Sequence, residues 1–237
     1  MAWAFLDDLN PEFFPDPNTS DPTGLLALSA DLGAERLIAA YLRGIFPWMK
    51  MDQPPNLWCW YSPDPRMVLY PEEFKVSRSL KQALKNELFS IRIDQNFAQV
   101  MRNCASISRS NQPTSWIEPD MEKEYFELHQ RGIAHSIEAF QGDNLVGGLY
   151  GIALGKIFFG ESMFHKVSEA SKVCMAKLIE IARTEGLHFI DCQVPNSFLY
   201  TLGARAIPRK RFLLELEGAL QNDNSVVDWS SWKQNIG

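Results

Sequence analysis

A carboxylate interrupts an apolar run in FFGESMF, residues 158–164, where Gly160 and Glu161 separate Phe158 and Phe159 from Met163 and Phe164. A second string, LHFIDCQV, ends an otherwise apolar run with Asp191 and Gln193. In an extended chain the side chains alternate, so Asp191 and Gln193 should share one face while Ile190, Cys192 and Val194 take the other. An acid and an amide at the end of a central strand are costly to bury without partners. Each of the three polar groups could satisfy local backbone donors, or all three could line one polar pocket at the strand ends, where ligands of such sheets sit. Three converging groups favour the pocket. Gly147, Gly148 and Gly151 upstream remove side chains where another backbone or a ligand must come close.

The elements that must position these groups can be read from pattern. AHSIEAF, LVGGLYGIAL and IFFGESMF are apolar runs joined by the short turns QGDN and GK, which predicts an antiparallel meander. Ser168 can cap a helix running to about Glu185 and stopped by Gly186, after which LHFIDCQV returns as a strand. Strands, a crossover helix and another strand make a mixed sheet of the α+β class. VSRSLKQALKNE, NFAQVMRNCAS and the segment after Pro119 read as helices, and FSIRID as a short strand. The proline-rich stretch 1–65, with a helix near Ala34–Leu42 and Phe46, Trp48, Trp58, Trp60 and Tyr61 crowded together, reads as a small irregular N-terminal domain. Residues 66–237 are then expected to form a second, larger domain that holds the three polar groups. The tail from Gln221, with Trp229 and Trp232, is expected to dock loosely onto the main body.

Composition narrows the function. At 237 residues and 46% hydrophobic content the chain can build a substantial core. It has no apolar run of membrane-spanning length, and its opening carries aspartates where a secretion signal would be basic, so a cytoplasmic protein is expected. The cysteines (Cys59, Cys104, Cys174, Cys192) and histidines (His129, His135, His165, His188) are dispersed without ligand spacing; neither a metal nor a disulfide framework is expected. The net charge of −6 argues against a general nucleic-acid binder, yet residues 75–109 hold seven bases (Lys75, Arg78, Lys81, Lys85, Arg92, Arg102, Arg109) against two acids. RAIPRKR, at 205–211, adds Arg209, Lys210 and Arg211 in a second cluster.

The strings GLLAL, RGIFPW, W-SPDPR, VSRSL, CAS, SWI, AHSIE, LVGGLYG, GESMF, ASK, DCQ and LGA, in this order, closely resemble the leucyl/phenylalanyl-tRNA–protein transferases of bacteria. The resemblance runs from about Gly24 past Phe212. It implies a small N-terminal domain joined to a GNAT-like mixed-sheet domain, the fold of the GCN5-related acetyltransferases. It also implies an aminoacyltransferase that moves leucine or phenylalanine, and methionine less well, from aminoacyl-tRNA to the N-terminal arginine or lysine of proteins, marking them for degradation. No cofactor is needed for such a transfer, and a monomer is expected. Carried over residue by residue, the resemblance places Asp191 and Gln193 at the catalytic centre, with Asp191 attracting the acceptor ammonium, and Glu161 beside them. Trp48 and Trp116 would contact the terminal adenosine, and Phe158, Met163 and Ile190, with Leu149, Met175 and Leu178, would wall the amino-acid pocket. Lys75, Arg78, Lys81, Lys85, Arg209, Lys210 and Arg211 would meet tRNA phosphates. Glu169 departs from the family pattern, which has asparagine before ASK, and His165 stands where serine is usual.

Two other readings share parts of this pattern. An acyl-CoA-dependent acetyltransferase would have the same fold, but HKVSEASK lacks the glycines of a pyrophosphate cradle and carries acids. A non-catalytic tRNA-binding protein would explain the basic helix and the aromatics, but not Asp191 and Gln193.

Overall fold

The computed structural model describes residues 3–7, 9–51, 56–106, 118–221 and 227–234. Strands β1 (Ala4–Phe5), β2 (Leu25–Ser29), β3 (Phe46–Lys50) and β4 (Trp58–Tyr61) form a sheet in the order β1-β2-β4-β3, with helix α1 (Ala34–Tyr41) between β2 and β3. The N-terminal region is therefore not irregular, as its prolines suggested. WCWY and FPWMK are rich in aromatics that favour a pleated surface, and Pro47 is tolerated because β3 is an edge strand whose register slips between Pro47 and Met49. Trp58 and Trp60 are core residues, and the Trp60 indole N–H donates to Ser29 Oγ at 2.8 Å.

The larger sheet is built from β5 (Arg66–Leu69), β6 (Ser90–Ile93), β7 (Ala134–Gln141), β8 (Asn144–Leu154), β9 (Ile157–His165), β10 (Phe189–Gln193) and β11 (Arg205–Ile207) in the order β11-β5-β10-β9-β8-β7-β6. Helices α2 (Arg78–Lys85), α3 (Phe97–Ser106), α4 (Pro119–Gln130), α5 (Ala170–Glu185), α6 (Ser197–Thr201), α7 (Arg209–Leu220) and α8 (Trp229–Gln234) complete the chain. The expected meander is β7-β8-β9, all antiparallel. β9 and β10 pair in parallel, as the crossover through α5 requires. The fold is thus α+β, with a small sheet and a larger mixed one. β4 of the small sheet ends at Tyr61 and β5 of the larger begins at Arg66, and one apolar cluster, including Trp60, Tyr41, Tyr150, Phe159 and Phe212, joins both sides.

Ser168 does not cap α5. The N-cap is Glu169, at φ 69°, a left-handed conformation for which the asparagine of the family pattern is better suited. Ala170 packs so tightly on β8 that a Cβ on Gly147 would lie 2.5 Å from its own Cβ; this close approach explains the glycine there. At the other end of the helix Gly186 takes the left-handed cap, as its sequence position predicts. Nor is the tail loose, because Val227 and Trp229 are buried in the core. Among the described residues no helix is long and apolar enough to cross a membrane.

Candidate functional site

β9 and β10 run side by side only as far as the pair Phe159 and Asp191. Beyond it both strands leave the ladder. β8 and β9 slip register between Tyr150 and Gly151, where a Cβ on Gly151 would fall 2.2 Å from Phe159 O. β10 slips against β5 between Asp191 and Gln193, and Gln193 takes φ 61°. These two irregularities open the sheet at the strand ends and aim Glu161 and Gln193 at each other. The Gln193 amide N–H donates to Glu161 Oε1 at 2.8 Å.

Asp191 is fully buried, and both its oxygens are engaged. Arg66 Nε donates to Oδ1 at 2.8 Å and Nη2 to Oδ2 at 2.6 Å, a bidentate pair, while the Gln193 backbone N–H donates to Oδ1 at 2.9 Å. Arg66 is also fully buried; its guanidinium lies between the rings of Phe46 and Phe212 at 4.7 and 4.5 Å and donates to Gly44 O at 3.0 Å. The expectation that Asp191 itself attracts an incoming ammonium is thereby corrected, since the carboxylate already holds a cation inside the protein. Its bond to the Gln193 backbone pins that residue in its left-handed turn.

Glu161, 7% exposed, sits in a cage of neutral donors. The Tyr41 hydroxyl lies 2.7 Å from Oε1 and the Tyr125 hydroxyl 3.0 Å from Oε2, and the two hydroxyls are 2.5 Å apart. Burial pushes its carboxyl up to about 7; the Asp191 charge adds to the rise, and the bonds from Tyr41, Tyr125 and Gln193 oppose it. Burial beside Glu161 holds both tyrosines far above their ordinary range, so they remain donors. Three oxygen–oxygen contacts close a ring, but the two hydroxyls supply two protons. Protonation of Glu161 would bring the third, whereas the ionised acid accepts from both hydroxyls.

The six apolar residues predicted to wall a pocket do come together. Leu149, Phe158, Met175, Leu178 and Ile190 lie in one buried cluster, and half-buried Met163 packs against it. They occupy the opposite face of the sheet from Asp191, whose side of the strand carries Phe189, in the cluster that also holds Tyr41, Phe159 and Tyr125. The acid is therefore not the rim of a one-sided pocket. The polar and apolar faces meet where the pairing of β9 and β10 ends, past Phe159 and Asp191.

Trp48 is half-buried at the edge of the small sheet, against Tyr61 at 5.2 Å. Trp116 and Arg109 lie outside the described residues. Lys75, Arg78, Lys81 and Lys85 are exposed, and α2 buries Leu80 and Ala83 beneath them. Lys210 is exposed, whereas Arg211 pairs with Glu215 at 2.7 Å. Arg209 is turned inward. Its Nη1 donates to Ser20 Oγ and Ser62 O, and its backbone N–H to Asp64 Oδ1 at 3.0 Å, so it clasps the two sheets together rather than facing a phosphate. Among the described residues no three histidine, cysteine or acidic side chains gather in a metal-binding group. Burial raises the Cys192 thiol well above its usual range, which leaves it inert as a nucleophile. His165 is exposed at the end of β9.

Three members of the site, Arg66, Tyr41 and Tyr125, had no assigned role in the sequence reading. Arg66 left a signal, as a lone charge opening the apolar strand RMVL. The tyrosines left none, since AERLIAAY and PDMEKEYFELHQ are ordinary amphipathic helices.

A family model described as leucyl/phenylalanyl-tRNA protein transferase matches residues 68–217, and one for the N-terminal domain of the same transferases matches residues 30–64. Proteins named leucyl/phenylalanyl-tRNA–protein transferase are similar over nearly the full length. That of Syntrophobacter fumaroxidans is 46% identical over 93% of this chain and 92% of its own. That of Azotobacter vinelandii is 52% identical over 88% and 90%. That of Legionella pneumophila (strain Corby) is 48% identical over 92% and 96%. With both parts of the chain matched and this identity carried across its length, the protein belongs to the leucyl/phenylalanyl-tRNA–protein transferase family.

Proposed function

We propose that this protein transfers leucine or phenylalanine from aminoacyl-tRNA to the α-amine of an N-terminal arginine or lysine, and so marks the acceptor protein for degradation. The carrying observation is the parting of β9 and β10 past Phe159 and Asp191, polar on one face through Glu161 and Gln193 and apolar on the other through the Phe158 cluster. A donor can place its side chain among Phe158, Met163 and Ile190 while its ester stays at the polar side. That arrangement offers a charged side chain nothing.

The amine nitrogen bonds to the ester carbonyl carbon as that carbon's bond to the tRNA ribose oxygen breaks, and the proton lost from the attacking nitrogen ends on the departing oxygen. An α-amine titrates near ~7.7–8.0, so it must shed a proton to attack at neutral pH. Gln193 gives its N–H to Glu161, which leaves the amide oxygen to accept from the amine. Asp191 is a positioning residue that fixes Gln193 through its backbone and Arg66 through its carboxylate. Glu161, near 7, stands between its two forms where the amine must also change form. The enzyme supplies alignment and electrostatics to an activated ester.

Trp48 and Trp116 are assigned to the adenosine, and the exposed cations of α2, with Lys210, to the acceptor-stem phosphates. An acyl-CoA donor fits poorly. The α5 N-terminus, where a pyrophosphate would sit, carries the Glu169 carboxylate, held by Lys172 at 2.8 Å. We further assign the protein to the cytoplasm, as a monomer of two domains, 1–65 and 66–237.

Phenylalanyl-tRNA labelled in the amino acid, incubated with a peptide beginning in arginine, should yield label at the peptide N-terminus. Acetyl-CoA in its place should yield none, and the reverse outcome would make the protein an acetyltransferase. Replacing Lys75, Arg78, Lys81 and Lys85 with glutamine should flatten the salt dependence of tRNA affinity by roughly 0.7–0.9 log units per lost phosphate contact. An unaltered slope would place the tRNA elsewhere.

A further inference from the structure

The C-terminal helix α8 lies past residue 217, where the family match ends. It is nonetheless strapped down at several points. The Trp229 ring is 5% exposed and stacks on His135 with centroids 4.2 Å apart and planes 11° apart. His135 is held by Asp94 at 2.7 Å and by Gly132 O at 3.0 Å, and Lys233 of the same helix reaches Asp94 at 3.1 Å. Trp232 donates to Glu185 at 2.9 Å and carries the Lys177 ammonium over its ring at 4.8 Å.

Trp229 also touches Phe158, ring centroids 5.8 Å apart and tilted by 43°. On another side Phe158 is pressed against bare backbone, since a Cβ on Gly151 would lie 2.5 Å from its Cε1. The ring is thus held between a strand that cannot yield and an indole supplied by the tail. The indole Nε1 is buried and has no hydrogen-bond partner among the described residues. Trp229 is there for the size of its ring, not for its donor.

We propose that Trp229 is a specificity-determining residue: by backing Phe158 it sets the depth of the donor pocket and hence which amino-acid side chains are transferred. This inference rests on the pocket reading above. A smaller residue at 229 gives Phe158 room to retreat, which deepens the pocket, loosens its fit to leucine and admits larger aromatics. One methylene in an apolar pocket already changes discrimination about 10–200-fold, so a lost ring must be visible in donor ratios.

The test measures kcat/KM with leucyl-, phenylalanyl- and tryptophanyl-tRNA for the wild type, Trp229→Phe, Trp229→Ala and Phe158→Ala. Trp229→Phe keeps an aromatic core residue and sacrifices no hydrogen bond, so it serves if the alanine variant does not fold. The expected result is a rise of about tenfold in the phenylalanine-to-leucine ratio for Trp229→Phe, and a larger rise with measurable tryptophan transfer for Trp229→Ala. A ratio within one enzyme preparation is unaffected by how much of it is folded. If all donors slow equally in the Trp229 variants while Phe158→Ala shifts the ratios, the pocket reading stands and the role of Trp229 is refuted. If Phe158→Ala leaves the ratios unchanged as well, the pocket reading falls and this inference falls with it.

Discussion

Two carboxylates at the ends of adjacent strands, both withdrawn from water, are handled in opposite ways. Asp191 on β10 faces a guanidinium, which keeps its charge in proteins, through a bidentate bond. Glu161 on β9 faces two phenols and an amide, which are good donors but carry no charge. The first acid is matched by a full positive charge and works as a fixed part of the scaffold. The second is matched by dipoles alone, and burial brings its proton equilibrium to about 7. Equal burial thus yields a structural ion pair in one place and a titrating group in the other. Gln193 joins them, its backbone bound to Asp191 and its side chain to Glu161.

The largest effect should come from breaking the matched pair. Asp191→Ala leaves the Arg66 charge alone in a site with no exposure, and losing one partner of a buried pair costs about 3–5 kcal/mol. Urea unfolding should show that loss together with a collapse of transfer. The double variant Arg66→Met with Asp191→Leu separates the two roles. It should recover most of the stability, because apolar replacements of buried pairs are well tolerated, while transfer stays low because Gln193 has lost its backbone anchor. Wild-type turnover in the double variant would remove Asp191 from the site altogether.

The mismatched acid should show itself through pH. The folded-state value of Glu161, about 7, exceeds its ordinary 4.5, so the native protein holds a proton that the unfolded chain gives up. Its stabilising contribution is complete below pH 4.5 and is lost as pH rises toward 7, by up to about 3 kcal/mol. Glutamine copies the protonated acid, accepting from Gln193 and Tyr41 and donating to Tyr125. Glu161→Gln should therefore match wild-type stability near pH 4.5 and exceed it above pH 7. A constant difference across that range would mean that Glu161 is already ionised at low pH.

How much of this could be read from the chain depended on periodicity. The meander, the crossover helix ending at Gly186 and the three polar groups of the site followed from apolar patterning and turn residues. What alternation could not supply was the pair of register slips, at Tyr150/Gly151 and Asp191/Gln193, because a bulge changes facing without changing composition. Strict alternation would put Met163 on the face of Glu161, whereas the slip returns it to the Phe158 cluster. The partners Arg66, Tyr41 and Tyr125 come from 125, 120 and 36 residues away along the chain, distances over which local pattern carries no information. The small sheet was missed because its prolines were weighed above its aromatics.

The smallest effect sharpens the contrast. Tyr41→Phe removes one neutral donor from Glu161 and leaves the Asp191 pair untouched. Below pH 6, where Glu161 is protonated, the cost should be that of the two hydrogen bonds the hydroxyl makes, to Glu161 and to Tyr125, about 2 kcal/mol. The hydroxyl favours the charged form, so its loss should raise the Glu161 midpoint above 7 and make the variant progressively less stable than wild type as the pH climbs past neutrality. Comparing Tyr41→Phe with the same change on the Glu161→Gln background isolates that term, since the glutamine cannot titrate. If the pH dependence of the Tyr41→Phe loss persists on the glutamine background, another group is responsible for it, and the contrast between the two acids no longer rests on their partners.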